Sequence, residues 1–349
     1  MNNSMSFLPD WASPPGETIN DILTDRGISV LEFSDSMSIS FTSAKRLLNG
    51  SLPLCLDLAK KLVDILGSTQ NFWMRREEDY RNDLERISKI KDENLKWLSL
   101  LPTKDMVKQR WIQPYLNRDE KISACLEFFG VRSVDEWYNT NQSRLMQTAF
   151  RTSNSFDSTA ESIITWLRKG EIESLNGQYS DWDPLKFREQ LRSARELTRC
   201  KEPSVFIPQL KSLFSQCGVA LAIAPTPSGC RASGATFFTD NNRAIVLLSF
   251  RHLSDDHFWF TLFHEAGHLL LHNQSDLFLE GTGANSKEEE EANIFSSDFL
   301  IPEEHKAELL TLNFKNWKKI PRFAKRIGVS SGIVVGQLQH LKIIEHHQL

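Results

Sequence analysis

The strongest constraint on this chain is an apolar segment that carries three ionisable side chains close together. Residues 258–273, FWFTLFHEAGHLLLHN, place His264, Glu265 and His268 among phenylalanines and leucines. Removing water from an imidazole or a carboxylate costs several kcal/mol unless a partner compensates for it. Any fold that buries this segment must therefore provide such partners.

The spacing of the two histidines predicts a metal site on a helix. Residues four positions apart lie on the same helical face, about 6 Å apart along the axis, so His264 and His268 can bind one ion. Zn²⁺ accepts imidazole nitrogens at about 2.0–2.1 Å and, in catalytic sites, keeps one position for water. Glu265 is then placed to take a proton from that water and to pass it to a leaving amine. The motif can also occur by chance on an ordinary helix.

A third ligand is expected from an acidic run that begins twenty residues after His268. His272 lies about 12 Å along the axis from His264, which is too far to share the ion easily. We therefore expect His272 to form a hydrogen bond at the helix end and not to bind the metal. The segment SKEEEEANIFSSDFLIP, residues 286–302, has four consecutive glutamates at the start of a predicted helix, and most of them simply complement the helix dipole. One stripe of small and polar residues nevertheless allows close approach to the histidine helix. It comprises Glu289, Ala292, Asn293 and Ser296.

Composition restricts the class of protein. At 349 residues the chain exceeds a single hydrophobic core, which predicts two or three domains. A net charge of −4 gives no global attraction to nucleic acid or to a membrane surface. The five cysteines contain no C-x-x-C pair, so neither a disulfide framework nor a cysteine zinc site is expected. No apolar run approaches about 18 residues, which predicts no membrane span and a cytoplasmic protein.

Hydrophobic periodicity predicts three regions. Residues 17–66 divide into four or five short helices, followed by a long charged helix near 71–98 that looks like an exposed connector. Residues 97–202 are helical throughout and are interpreted as a spacer or dimerisation region. After Pro203 the runs VALAIAP, GATFFT and AIVLLSF predict a small, mostly antiparallel sheet followed by helices. The predicted fold class is therefore mainly α, with an all-α N-terminal domain and an α+β C-terminal domain.

The segments HEAGHLLLH and EEEEANIFSSDFLIP resemble the ImmA/IrrE family of metallopeptidases. That family has the pattern H-E-x-G-H followed by E-x-x-A-N-x-F-x-x-x-L-x-x-P, and the resemblance covers roughly residues 203–340, with Phe in place of the usual Leu at position 299. It implies a zincin-like domain of the H-E-x-x-H gluzincin type, with Glu265 as general base and acid. The implied Zn²⁺ ligands are His264, His268 and Glu289. Glu291 is the alternative third ligand, because the four glutamates are adjacent.

Two N-terminal segments follow another known pattern, namely PPGETINDILTDRGIS and TSAKRLLNGSLPLCLDLAKKLVDILGSTQNFWMRREEDY. They resemble HigA-type antitoxins with a helix-turn-helix of the xenobiotic-response-element class. The resemblance implies that the helix near residues 40–48 enters the major groove of an operator in double-stranded DNA. Contacts with bases and phosphates are then expected from Thr42, Ser43, Lys45 and Arg46.

Two features depart from the helix-turn-helix pattern. Ser34 and Ser38 stand where that class usually has a small Ala in the second helix and a Gly in the turn. Residues 1–90 carry ten Lys and Arg against thirteen Asp and Glu, and this net charge of −3 weakens long-range attraction to phosphate. A partner-binding or degenerate module is the alternative to a DNA-binding one.

These features predict a HigA-like helix-turn-helix DNA-binding domain at 1–90, a helical linker at 91–202 and an ImmA/IrrE-like zinc metallopeptidase domain at 203–349. The predicted function is a transcriptional regulator whose endopeptidase cleaves a repressor or a toxin–antitoxin component, held in extended form against a sheet edge such as GATFF. One alternative is a regulator whose zinc domain is a sensor or structural module without protease activity. Another is an antitoxin that masks a toxin. A homodimer is expected, because helix-turn-helix proteins commonly read paired half-sites.

Overall fold

The computed structural model describes residues 9–115, 117–152, 158–239, 241–250, 255–273, 277–280 and 287–345. The chain divides into two units, Met1–Trp97 and Leu98–Leu349. The first unit is helical in its described part, and the second combines helices with a small sheet. None of the helices in these ranges is long and apolar enough to cross a membrane.

In its described part, the first unit contains four helices and most of a fifth: α1 Pro15–Arg26, α2 Val30–Ser36, α3 Phe41–Leu48, α4 Leu56–Leu66 and α5 Gln70–Leu100. Local signals explain where they begin. Ser29 and Glu32 form a capping box at α2, and the hydroxyl of Ser40 accepts a hydrogen bond from the N–H of Ser43 at α3. The turn signals in the sequence therefore correspond to real helix boundaries.

An apolar core holds the first unit together, and α5 is part of it. Helices α1 and α3 approach closely at Gly16, where a Cβ atom would overlap the carbonyl of Leu48. Trp73 of α5 is fully buried in this core, and its indole N–H donates to the carbonyl of Gly67 at 3.1 Å. The interpretation of the charged helix as an exposed connector is therefore wrong for its first turns, because one face there completes the core.

The second unit has eleven further α-helices and four strands in its described part. The helices before the sheet are α6 Thr103–Lys108, α7 Arg118–Phe129, α8 Val134–Thr152, α9 Ala160–Leu175, α10 Pro184–Glu196 and α11 Pro203–Ser215. The strands are β1 Val219–Ile223, β2 Gly234–Phe238, β3 Ala244–Leu248 and β4 Phe278–Leu279. The remaining helices are α12 Asp255–Leu271, α13 Lys287–Leu300, α14 Glu303–Leu309, α15 Ile320–Ile327 and α16 Ser331–His340. Short 3-10 helices occupy Leu197–Arg199 and Phe314–Lys319.

The strands form one mixed sheet in the order β1-β3-β2-β4. Strands β1 and β3 are parallel, whereas β2 is antiparallel to both β3 and β4. The predicted combination of a mainly helical chain with an α+β C-terminal domain is confirmed. Strand β4 pairs with Ala235 and Thr236, so the expectation that GATFF offers an open edge is wrong at these residues. A two-residue strand is too short to show alternation, which is why the sequence did not reveal it.

Both faces of the sheet are buried, and helices from two parts of the chain cover them. Ile245 packs in one core with Trp166 of α9, and Val246 packs in another with Trp259 of α12. The indole N–H of Trp166 also donates to the carbonyl of Ala224 at 2.9 Å. Strands buried on both faces have nearly continuous apolar sequences, as AIVLL does. Although α9 lies in the segment expected to be a spacer, it packs on the sheet; the boundaries at residues 90 and 202 stay predictions.

Replacement of Ser38 by glycine should stabilise the first unit. Ser38 has φ = 50°, a left-handed conformation that costs a non-glycine residue about 1–2 kcal/mol, whereas glycine loses only about 0.5–1 kcal/mol through its greater freedom when unfolded. We expect Ser38→Gly to add about 0.5–1 kcal/mol of local stability and so to slow amide exchange at Met37 and Ile39 by about 2- to 5-fold in the full chain. The same substitution at Ser36, the last residue of α2, is the matched control and should accelerate exchange, because it also removes the hydrogen bond from the hydroxyl to the carbonyl of Glu32. Equal rates in Ser38→Gly and the unsubstituted protein would contradict strain at this turn.

Candidate metal centre

Helices α12 and α13 of the second unit pack closely enough to share one polar centre. At Gly267 of α12, a Cβ atom would lie 3.1 Å from the ring of Phe295 and 3.3 Å from the Cα of Ala292. Ala292 and Ser296 are fully buried, and the hydroxyl of Ser296 donates to the carbonyl of Phe260 at 2.9 Å. The stripe of small residues on α13 therefore faces the histidine helix.

His264, His268 and Glu289 converge at this contact. The two Nε2 atoms are 3.0 Å apart, and the carboxylate of Glu289 places one oxygen 3.2 Å from His264 Nε2 and the other 3.5 Å from His268 Nε2. One ligand atom from each residue lies within 4.8 Å of the others. Ligands at about 2.0–2.1 Å from a tetrahedral ion stand about 3.3 Å apart, so this donor set fits a zinc-sized ion.

Each of the two imidazoles is also held at its other nitrogen. His264 Nδ1 lies 3.0 Å from the side-chain oxygen of Asn293, to which it donates. His268 Nδ1 lies 2.9 Å from His272 Nδ1, and His272 Nε2 lies 3.2 Å from the carboxylate of Glu291. His272 thus forms hydrogen bonds at the helix end. Glu291, the alternative third ligand, contacts His272 in this structure, whereas Glu289 faces the two Nε2 atoms.

Glu265 is completely buried between α12 and strand β2. The hydroxyl of Thr236 donates to its Oε2 at 2.5 Å, while Oε1 has no hydrogen-bond partner in the part of the chain that the structure describes. A Cβ atom at Gly234 would overlap Oε1, so the glycine provides the space which that oxygen occupies. Burial raises the pKa of Glu265 to about 8, although nearby His264 opposes the shift. Thus Oε2 is held by a hydrogen bond, whereas Oε1 has no hydrogen-bond partner among the described residues.

Carboxyl groups outnumber imidazoles around the centre. Burial lowers the pKa of His264, but Glu289, Glu265 and Glu280 outweigh that effect and raise it to about 9. Burial also raises the pKa of Glu280, which follows β4. The centre therefore attracts positive charge, either as protons or as a metal ion. Sequence reasoning missed both Glu280 and Thr236, and the only signal for Glu280 was a single acidic residue after the short apolar run LFL.

In the first unit, the residues predicted to contact DNA lie on α3. Thr42, Lys45 and Arg46 are exposed. Ser43 is half-buried, and its N–H and hydroxyl lie 3.1 Å and 2.8 Å from the hydroxyl oxygen of Ser40. The structure thus places three of the four side chains on the surface and engages the fourth in the helix cap.

Comparisons with known proteins agree with both parts of this description. Residues 231–338, which include α12 and α13, match the family model of the IrrE N-terminal-like domain, peptidase family M78. YddM of Escherichia coli (strain K12), described as an uncharacterized HTH-type transcriptional regulator, is 31% identical over 83 residues, which cover 22% of this chain and 88% of that protein.

The second unit thus contains a metallopeptidase-type domain, and its family and its group of two histidines and a glutamate indicate a metal ion. The chain thus contains an IrrE N-terminal-like domain of the ImmA/IrrE type, together with a helix-turn-helix part. This confirms the resemblance read from the sequence.

Proposed function

We propose that this protein is a transcriptional regulator whose C-terminal domain, residues 203–349, is a zinc-dependent endopeptidase that cleaves a regulatory protein in the cytoplasm. The observation that carries the proposal is the convergence of two imidazoles and a carboxylate beside a second, buried carboxyl group. The proposed substrate class is a repressor or a toxin–antitoxin component, as the family resemblance implies. Residues 1–90 are assigned to operator binding, and residues 91–202 to the helical segment between the two activities.

The proposed ligands of Zn²⁺ are His264, His268 and Glu289. Asn293 and His272 hold the two imidazoles at Nδ1, which leaves each Nε2 directed at Glu289 and fixes the orientation of both rings. Two histidines and a glutamate are a common ligand set of catalytic zinc sites. When bound, zinc lowers the pKa of a coordinated water and polarises the scissile carbonyl.

Glu265 is the proposed general base and acid. Its Oε2 is engaged by Thr236, so a proton taken from the attacking water would be held at Oε1. Burial raises the pKa of this carboxyl group and positive charge nearby lowers it, so the environment of Glu265 acts on its proton affinity in both directions. From Oε1 the proton passes to the leaving amine.

Substitutions in the acidic run of α13 test which glutamate binds the metal. Glu289→Gln should reduce the zinc affinity of the full chain by more than about 100-fold, because it removes a ligand, whereas Glu291→Gln should reduce it about 10-fold through the loss of the partner of His272. Affinity is measured by competition with a chromogenic chelator. Exposed Glu290 is the matched control, and Glu290→Gln should have no effect. A greater loss for Glu291→Gln than for Glu289→Gln would contradict the assignment.

Glu265→Gln should leave zinc bound at full stoichiometry and reduce peptide cleavage by about 10²–10⁴-fold, because an amide cannot accept and return the proton. Cleavage is measured by mass spectrometry on a mixture of proteome-derived peptides, and zinc by plasma emission spectrometry. Glu303→Gln, at a carboxylate that is 80% exposed on α14, is the control for the loss of one negative charge. Undiminished cleavage by Glu265→Gln with zinc in place would reject Glu265 as the base.

We further propose that α3 enters the major groove of operator DNA. Support comes from the exposure of Thr42, Lys45 and Arg46, and from the likeness to YddM, which is described as a helix-turn-helix regulator. Ser43 is assigned to the same contact surface, next to the phosphates. Because residues 1–90 carry a net charge of −3, the attraction to phosphate must come locally from Lys45 and Arg46. A homodimer would match the paired half-sites that such helices read.

Two substitutions that each remove a cationic side chain from α3 test this surface. Arg46→Ala and Lys45→Ala should each weaken binding to a selected DNA fragment and lower the slope of log affinity against log salt by about 1, because each removes one phosphate contact. The fragment is first selected from a random double-stranded library, and binding is then titrated at several salt concentrations. Lys89→Ala on α5, at a lysine that is 69% exposed, is the matched control and should leave the slope unchanged. Equal losses from Lys89→Ala and Lys45→Ala would argue against α3 as the contact element.

A second candidate function is regulation by metal binding without proteolysis. The observation that favours it is the burial of the centre, since His264, Glu265 and His268 are each 1% exposed or less, which restricts the access of a polypeptide. Operator binding measured with and without a chelator separates the two functions. Release of DNA on metal removal, with no peptide cleaved, would favour the sensor.

A further inference from the structure

A cavity of about 380 Å³ opens beside the proposed metal centre in the second unit. Among the residues that the structure describes, those that line the cavity belong to α12, α13 and α16. Ser233, just before β2, and Glu280, just after the paired strand β4, complete this lining. The apolar side chains of Phe260, Leu300 and Ile333 form part of the lining. The volume is sufficient for one long side chain of a bound polypeptide.

The cavity lies one helical turn away from the proposed ligands. Thr261, in its wall, precedes Glu265 by four residues on α12, and Asn293 follows Glu289 by four residues on α13. One turn of helix corresponds to about 5.4 Å. Asn293 both lines the cavity and accepts a hydrogen bond from His264 at 3.0 Å, so the cavity borders the centre directly. A substrate whose scissile bond lies at the centre would therefore place a neighbouring side chain in this cavity.

The described lining of the cavity carries two carboxyl groups, those of Asp256 and Glu280, and two imidazoles, those of His257 and His340. No lysine or arginine is among the described lining residues. Asp256 already contacts His257, at 3.5 Å between Oδ2 and Nδ1. Glu280 is different, because its Oε2 is buried and has no hydrogen-bond partner among the residues that the structure describes. A buried carboxylate oxygen without a partner is costly, and a cation entering the cavity would remove that cost.

We propose that this cavity is a specificity pocket for a basic side chain, Arg or Lys, next to the scissile bond, and that Glu280 recognises its charge. The inference rests on the proposed endopeptidase function and names the class of substrate that the centre accepts. The apolar wall of Phe260, Leu300 and Ile333 suits the methylene stem of such a side chain, while the carboxylate suits its cationic head. Charge-assisted hydrogen bonds of this kind are among the stronger ones in proteins.

The first test uses quenched fluorescent peptides that differ at one position beside a cleavage site mapped with the peptide mixture. That position carries Arg, Lys, Glu or citrulline, the neutral isostere of Arg. The zinc-loaded full chain should cleave the Arg or Lys peptide at least about 10-fold faster, in kcat/KM, than the citrulline peptide, because only a cation pairs with the carboxylate. In Glu280→Gln, compared at equal zinc occupancy, that ratio should fall close to 1. Glu303→Gln, remote in sequence and exposed, is the matched control and should retain the ratio.

The second test does not depend on catalysis. Binding of N-acetyl-arginine amide and N-acetyl-citrulline amide to the full chain is measured by calorimetry, and the arginine probe should bind at least about 10-fold more tightly in the unsubstituted protein but not in Glu280→Gln. The proposed pocket would be wrong if peptides were cleaved without a preference for Arg or Lys and the two amides bound equally. The proposed peptidase function would then still hold. Selective binding of the arginine amide without any cleavage would support the pocket and overturn the peptidase.

Discussion

The close packing of α12 on α13 is the constraint on which the candidate centre depends. Three donor groups stand 3.0–3.5 Å apart only because Gly267 lets the ring of Phe295 and the backbone of Ala292 approach it. The far end of α13 is also fixed, since the guanidinium of Arg195 donates twice to the carbonyl of Leu300, at 3.1 and 2.9 Å. A cation at a helix C-terminus satisfies a carbonyl that the helix leaves free and complements the dipole. Helix α13 is thus held both along its face and at its end.

The electrostatics of the centre explain why an apolar segment carries ionisable residues at all. Burial raises the pKa values of Glu265 and Glu280, and the surrounding carboxyl groups raise that of His264 in spite of its burial. These are the shifts expected where negative charge is in excess and is partly neutralised by shared protons. A divalent cation competes for the same groups, so metal binding and proton release are coupled. The same excess of carboxyl groups extends into the neighbouring cavity through Glu280.

Much of this arrangement could be predicted from the sequence, because it depends on helical periodicity. A period of 3.6 residues places His264 and His268 on one face and aligns Glu289 with the small residues of its stripe, so their convergence needs only that the two helices meet. The order of helices and the α+β class of the C-terminal part also follow from local patterns. Thr236 and Glu280 were missed, because the pairing of β2 with a two-residue strand brings them to the centre. That register is a long-range property, which no local pattern encodes.

The burial of the imidazoles bears differently on the two candidate functions, because a peptidase must admit a polypeptide to the centre and a sensor need not. A scissile carbonyl must reach a centre whose two histidines are each 1% exposed, whereas a sensor needs only its ion. The cavity bears on this choice, since Thr261 and Asn293 in its wall stand one helical turn from Glu265 and Glu289. A substrate anchored there would have only about 5 Å to span to the reacting atoms. The cavity therefore supports the peptidase by its position beside the centre, because a bound polypeptide can be anchored there.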